Sequence, residues 1–146
     1  MRAVIQRVTS SRVLVKEEIV GEIGSGLLIL LAIHNDDEEL TLDKLAEKII
    51  NLRIFEDEFG KINLSLKDVV GEAMVVSQFT LYGKTEKGNR PSFLDSARPD
   101  KAKPFYDKFV ELLAVKGIKK VATGKFGALM SVQLINEGPT TIIIDL

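Results

Sequence analysis

The chain contains no cysteine and no tryptophan, and only one histidine, His34. Without cysteine there are no disulfides, thiolate nucleophiles, Cys-based zinc sites or iron–sulfur clusters. A single histidine rules out a multi-His metal cluster, and any Ser-His-Asp triad would have to run through His34. The expectation is a protein that needs neither metal nor other cofactor. Long apolar runs are missing too. The longest, Leu27 to Ile33, has seven residues, against the roughly 20 that a membrane helix requires. The opening Met1-Arg2-Ala3-Val4-Ile5-Gln6-Arg7 lacks signal-peptide architecture, so a cytoplasmic location is expected.

What is present suits a globular domain. At 146 residues the length points to one domain spanning residues 1–146, able to bury roughly 68–70% of its unfolded surface. Apolar residues make up 45% and charged residues 28%, which is ordinary for a soluble fold. The net charge of −1 argues against a blanket nucleic-acid binder, but the charge is uneven. Nine acids face three bases from Asp36 to Glu58, six bases face three acids from Lys84 to Lys103, and four lysines meet no acid from Lys116 to Lys125. Such runs suit either solvated faces or a phosphate-bearing partner gripped from one side.

The first third reads as strands: Ala3–Val8, Arg12–Val15, Ile19–Ile23 and, after Gly24-Ser25-Gly26, the buried run Leu27–Ile33. A helix follows from Glu38 to Leu52, where Leu42, Leu45, Ile49 and Leu52 share one face, with Asp36 and Glu39 placed to cap it. Arg53–Phe55 reads as a short strand, Asp57–Gly60 as a turn, and Ala73–Thr80 as a strand that is apolar first and polar at its far end. Residues 83–99 form a long polar connection, the kind that tends to be functional or disordered. A second helix runs from Asp100 to Lys116 and stops at Gly117. Strands Lys119–Thr123, Leu129–Ile135 and Thr140–Asp145 close the chain. The fold class is α/β with α+β character: a mixed or antiparallel sheet under two main covering helices.

Several patterns carry no chemistry. Gly21-x-x-Gly24-x-Gly26 leads into a strand, whereas a phosphate cradle leads into a helix. Asp57 to Asp68 has the length of a calcium loop, but Phe59 and Lys61 stand where oxygen ligands belong and Ile62 replaces the central glycine. His34, at a strand terminus, reads better as a surface residue than as a general base.

Two segments survive. Ser77-Gln78-Phe79-Thr80-Leu81 is the polar end of a strand. Asn136-Glu137-Gly138-Pro139-Thr140-Thr141 lies between two strand-like runs. Proline fixes its own φ and lacks an N–H, and glycine offers no side chain. Gly138-Pro139 is therefore either an ordinary hairpin turn or a rigid corner presenting two carbonyls to a small ligand.

These segments resemble the D-aminoacyl-tRNA deacylases, whose signatures are a Ser-Gln-Phe-Thr stretch and an Asn-x-Gly-Pro-x-Thr stretch. The resemblance spans essentially the whole chain, including Arg2–Val8, Asn51–Phe55, Gly88–Phe93 and Gly127-Ala128-x-Met130. It implies a pseudo-barrel sheet and a homodimer with active sites at the subunit interface. The Gly138-cisPro139 corner would enter the partner's site and hold the substrate's α-amino group, with Arg7 fixing its orientation. The reaction implied is hydrolysis of the ester of D-aminoacyl-tRNA and of glycyl-tRNA, with L-aminoacyl-tRNA rejected by clash. The implied catalytic residues are Ser77, Gln78, Phe79 and Thr80. Gly138, Pro139, Arg7, Met130, Phe126 and Asn136 would bind substrate.

An activated ester needs little beyond an oxyanion hole, which backbone N–H groups around Gln78, Phe79 and Thr80 could supply, and an oriented water. Thr80 is then a positioning residue, with the RNA 2′-hydroxyl assisting. As a nucleophile it would need a base, and none is evident. Phe79, Phe126 and Met130 are candidates to stack on a terminal adenine, although Phe126 and Met130 serve equally as core. Lys84, Lys87 and Arg90 are candidates for tRNA phosphates. The rival readings are a non-catalytic tRNA-binding module and a small-ester hydrolase with Thr80 as nucleophile.

Overall fold

The computed structural model describes all of residues 1–146. Strand β1 (Arg2–Val15) is continuous where the pattern suggests two strands. Its first half pairs antiparallel with β3 (Gly26–Ala32) and its second half with β2 (Glu18–Ile23). Its other edge is taken along its whole length by β8 (Ser131–Asp145). β8 carries β1 across Thr9-Ser10, where the β3 ladder has ended at Val8 and the β2 ladder starts only at Ser11; the exposed polar side chains there read locally as a break.

β6 (Glu72–Ser77) adds parallel to β3, and β7 (Val121–Thr123) parallel to β6. The path runs β2-β1-β3-β6-β7, with β8 beside β1. Its two ends approach each other: a Cβ at Gly21 of β2 would fall 2.3 Å from the Thr123 carbonyl oxygen of β7. Only glycine admits that approach, and it nearly closes the mixed sheet into a barrel.

Alternation along the strands divides the core in two. Leu27, Ile29 and Leu31 join a cluster of 23 buried residues, while Leu28 joins a cluster of six with Val8, Val13, Ile23, Met74 and Val76. Helix α1 (Glu39–Ile50) contributes Leu42, Leu45, Ala46, Ile49 and Ile50 to the larger cluster, and α2 (Pro99–Val115) contributes Tyr106, Phe109 and Leu113. Phe109 is wholly buried; removing a side chain of that size from water contributes about 1.5–3 kcal/mol. No helix is long and apolar enough to cross a membrane.

Local readings shift where a distant partner intervenes. The expected capping pair does not form: Glu38 occupies the cap position of α1 with no side-chain cap bond, and Asp36 lies two residues upstream of it. Asp37 is the carboxylate in use, accepting from the Met1 ammonium and the His34 amide, both at 2.6 Å. The short strand is β4 (Phe55–Glu56), which forms a hairpin with an unforeseen β5 (Ile62–Leu64). Asp57 Oδ1 closes that turn by accepting the Phe59 and Lys61 amides, each at 3.0 Å.

Candidate active site

The apolar run of β6 stops at Ser77. The Gln78 amide still donates to the Leu31 carbonyl at 2.8 Å, and the chain then leaves the sheet as a 3-10 turn, Phe79–Tyr82. Phe79 and Thr80 therefore lie in a turn, not on the strand that the pattern suggests. The first amides of a 3-10 turn have no carbonyl three residues back within the turn. Those of Phe79 and Thr80 donate to no loop, turn or cap carbonyl either. The Gln78 amide is taken, so the set of available donors narrows to two.

The turn is held from outside. Ser96 Oγ donates to the Phe79 carbonyl at 2.7 Å, and the Phe93 ring meets the Phe79 ring edge-on, 5.2 Å between centroids. Gln78 Nε2 donates to Thr80 Oγ1. Thr80 makes no contact with a carboxylate, imidazole or amine, and a carboxamide in either orientation is no base.

Beside this turn opens a cavity of about 570 Å³, in the range of small-molecule sites. Its lining includes Ser77, Gln78 and Phe79, together with Phe126, Met130, Val132 and Tyr106. Phe126 packs on the larger core cluster and Met130 on the smaller, so both serve core and cavity at once. Tyr106 is buried and donates to the Val75 carbonyl at 2.8 Å. Burial pushes its phenol far above the ordinary tyrosine value, which keeps it neutral and leaves it no proton to trade.

The second segment is neither a hairpin nor the end of a strand. β1 pairs with β8 at Gln6–Thr141 and again at Val8–Asn136. Arg7 alone thus faces the four residues 137–140, a wide bulge inside one continuous strand. Asn136 clasps it: Oδ1 accepts the Thr140 amide at 3.0 Å and Nδ2 donates to Thr141 Oγ1 at 3.2 Å. Arg7, only 4% exposed, donates through Nε to the Glu137 carbonyl at 3.3 Å and through Nη1 to the Ile54 carbonyl at 2.6 Å. Gly138 has φ +121°, and a Cβ there would lie 2.6 Å from Thr140 Oγ1, so only glycine suits the position. The Gly138–Pro139 peptide bond is cis. Both residues are exposed, and neither lines this chain's cavity. Of the site residues expected from the sequence, Ser77, Gln78, Phe79, Phe126 and Met130 line the cavity, and Thr80 sits in the turn beside it without lining it. Arg7, Asn136, Gly138 and Pro139 make the bulge, and Lys84, Lys87 and Arg90 lie at neither.

A family model described as D-Tyr-tRNA(Tyr) deacylase matches residues 4–145. The chain belongs to this deacylase family. A Thermotoga petrophila protein named D-aminoacyl-tRNA deacylase is 56% identical over 145 residues, 99% of this chain and 97% of its own length. A Bacillus subtilis protein named inactive D-aminoacyl-tRNA deacylase is 57% identical over 129 residues, 88% of this chain and 97% of its own. The solved structure of the c-Myc DNA Unwinding Element Binding Protein superposes with a TM-score of 0.95 at 41% identity, covering 100% of this chain and 99% of the other.

The charge of this deacylase-family chain is more internally compensated than its runs suggest. Lys84 pairs with Asp95 at 2.6 Å, which raises the lysine pKa and lowers that of the aspartate. Lys116 reaches Asp43 and Glu47 of α1 at 2.9 and 3.0 Å, so one of the basic segments faces the acidic one. Lys87 and Arg90 are exposed and make no ion pair. His34 stacks edge-on against Tyr82 at 5.1 Å, accepts the Asp36 amide at Nδ1 and does not line the cavity. The sequence reading missed Ser96 and Tyr106, a polar residue in an irregular loop and one more aromatic on a helical stripe.

Proposed function

We propose that this protein hydrolyses the ester linking a D-amino acid to the terminal ribose of tRNA and spares the L-enantiomer. The observation that carries the proposal is an apolar cavity large enough for a nucleoside, lined by Phe79, with the free amides of Phe79 and Thr80 in the turn beside it. The terminal adenosine enters the cavity and stacks beside Phe126 and Met130. Its ester carbonyl meets the two amides, which bind the oxyanion as water attacks; such donors contribute about 10²–10³ each in rate. The vicinal 2′-hydroxyl assists proton transfer to the departing 3′-oxygen. Ser77, Gln78 and Thr80 position groups, and none of them forms a covalent bond to the substrate.

Chirality is judged at the bulge. Both enantiomers bury the same atoms, so affinity cannot separate them; only a clash with the wrong one can. Gly138-Pro139 supplies the wall. Because it does not line its own chain's cavity, it acts in a second copy, and the working unit is a homodimer with two shared sites. The exposed apolar side chains that flank it on the same strand, Ile135 and Ile143, fit burial in that contact. Glycine carries no side chain to strike the wall, so glycyl-tRNA is a second substrate. Lys87 and Arg90 meet tRNA phosphates.

The test compares a D-aminoacyl-tRNA with the same D-amino acid as a simple ester. Rapid release from tRNA and slow release from the free ester support the proposal. Equal rates favour a small-ester hydrolase, and tRNA binding without release favours a non-catalytic module.

A further inference from the structure

We infer that Ser96 is a positioning residue for the reaction, acting through the peptide group that joins Phe79 to Thr80. The inference rests on the reading above, in which the Thr80 amide binds the oxyanion. A trans peptide is planar, and its C=O and N–H point in opposite directions. The Phe79 carbonyl and the Thr80 amide are two ends of one such plane. Ser96 Oγ donates to that carbonyl at 2.7 Å, so it fixes the direction in which the Thr80 N–H points. A hydrogen bond at the oxygen also polarises the peptide and strengthens its N–H as a donor.

Ser96 can do this because its own backbone is anchored. It forms an antiparallel bridge with His34, flanked by Asn35 N to the Asp95 carbonyl at 3.0 Å and Ala97 N to the Ile33 carbonyl at 2.9 Å. These residues follow β3 directly, and β3 also receives the Gln78 amide at Leu31. One strand end therefore holds both the donor and the turn that it braces. Lys84, at the far side of the connecting loop, is tied back by Asp95. The long polar loop is thus a brace with a serine at its working point.

The experiment measures steady-state hydrolysis of one D-aminoacyl-tRNA by the unaltered protein, Ser96→Ala and Ser96→Thr, with thermal unfolding of each. Ser96→Ala is expected to lower kcat by roughly ten- to thirtyfold, short of the 10²–10³ for deleting a donor outright. Its KM and its melting temperature should stay close to those of the unaltered protein, and Ser96→Thr should recover most of the rate. A second readout is the Thr80 amide proton in NMR, which should shift upfield in Ser96→Ala and return in Ser96→Thr. Wild-type kcat in Ser96→Ala, a loss carried by KM, or no recovery in Ser96→Thr would each overturn the inference while leaving the deacylase reading intact. An unaltered protein that releases no D-amino acid would overturn both.

Discussion

Arg7 and Glu137 face each other across the β1–β8 bulge, the arginine Nε donating to the glutamate carbonyl at 3.3 Å and lying 3.4 Å from its carboxylate. The same guanidinium donates to the Ile54 carbonyl at 2.6 Å and lies 3.8 Å from Glu56. One buried cation therefore ties the bulge to the β4–β5 hairpin, and it faces the one stretch of β8 with no ladder partner. Arg7→Ala would leave two carbonyls unmet, a cost of roughly 1–3 kcal/mol, visible in chemical denaturation. It should also loosen the wall, so the ratio of D- to L-aminoacyl-tRNA hydrolysis should fall more than the D rate itself. An unchanged ratio would remove Arg7 from the chirality device.

Thr80 has Gln78 Nε2 as its hydroxyl partner and no base beside it. Thr80→Val is expected to keep activity within about tenfold, because an oriented water, not the threonine, attacks while the backbone amides supply the stabilisation. A covalent aminoacyl-enzyme trapped on Thr80, or complete loss of turnover in Thr80→Val with binding intact, would restore the nucleophile.

Binding of tRNA should weaken as salt rises, since each phosphate contact releases counterions. Lys87→Ala and Arg90→Ala should each reduce the slope of log K against log salt by about one. Lys84→Ala should change it less, because Asp95 already neutralises that lysine. Equal slopes for all three variants would contradict the pairing.

Stability should fall at both ends of the pH scale. Hydrogen bonds from Lys116 lower the pKa of Glu47, the Gly24 amide lowers Glu72, and the Ser65 hydroxyl lowers Asp68. Depressed folded values stabilise above the unfolded carboxylate range, and that stability is lost as pH falls below about 4 through the folded values. Tyr82 runs the other way: burial pushes it up to about 12 from 10.0. Its contribution is complete below pH 10 and is lost as pH rises toward 12. Melting temperatures measured from pH 2 to 12 should show both declines, and Tyr82→Phe should flatten the alkaline one.

Much of the site was legible because its residues break local rules. Ser77-Gln78 follows four buried apolar residues, and Gly138-Pro139 interrupts a β pattern. What stayed hidden depends on partners distant in sequence. Phe79 and Thr80 favour strands by propensity, and nothing local shows that the sheet ends at Gln78. β8 runs through its bulge because β1, more than 120 residues away, pairs on both sides, so a corner between strands was the natural local reading. Ser96 gave no periodic signal, and its partner is a backbone carbonyl. The +3 stretch from Lys84 to Lys103 concealed the Lys84–Asp95 pair, since a charge count does not say which charges touch.

Mixing two disabled copies of the chain tests most directly whether the wall is supplied across a subunit boundary. Gly138→Ala spoils the bulge, where a Cβ meets Thr140 Oγ1, but leaves the cavity; Ala128→Trp fills the cavity, which Ala128 lines, but leaves the bulge. Unfolded together and refolded, the two should regain hydrolysis of D-aminoacyl-tRNA with L-aminoacyl-tRNA spared, through the one site that combines an open cavity with an intact neighbouring wall. A mixture no more active or selective than the sum of its two components would contradict the shared site.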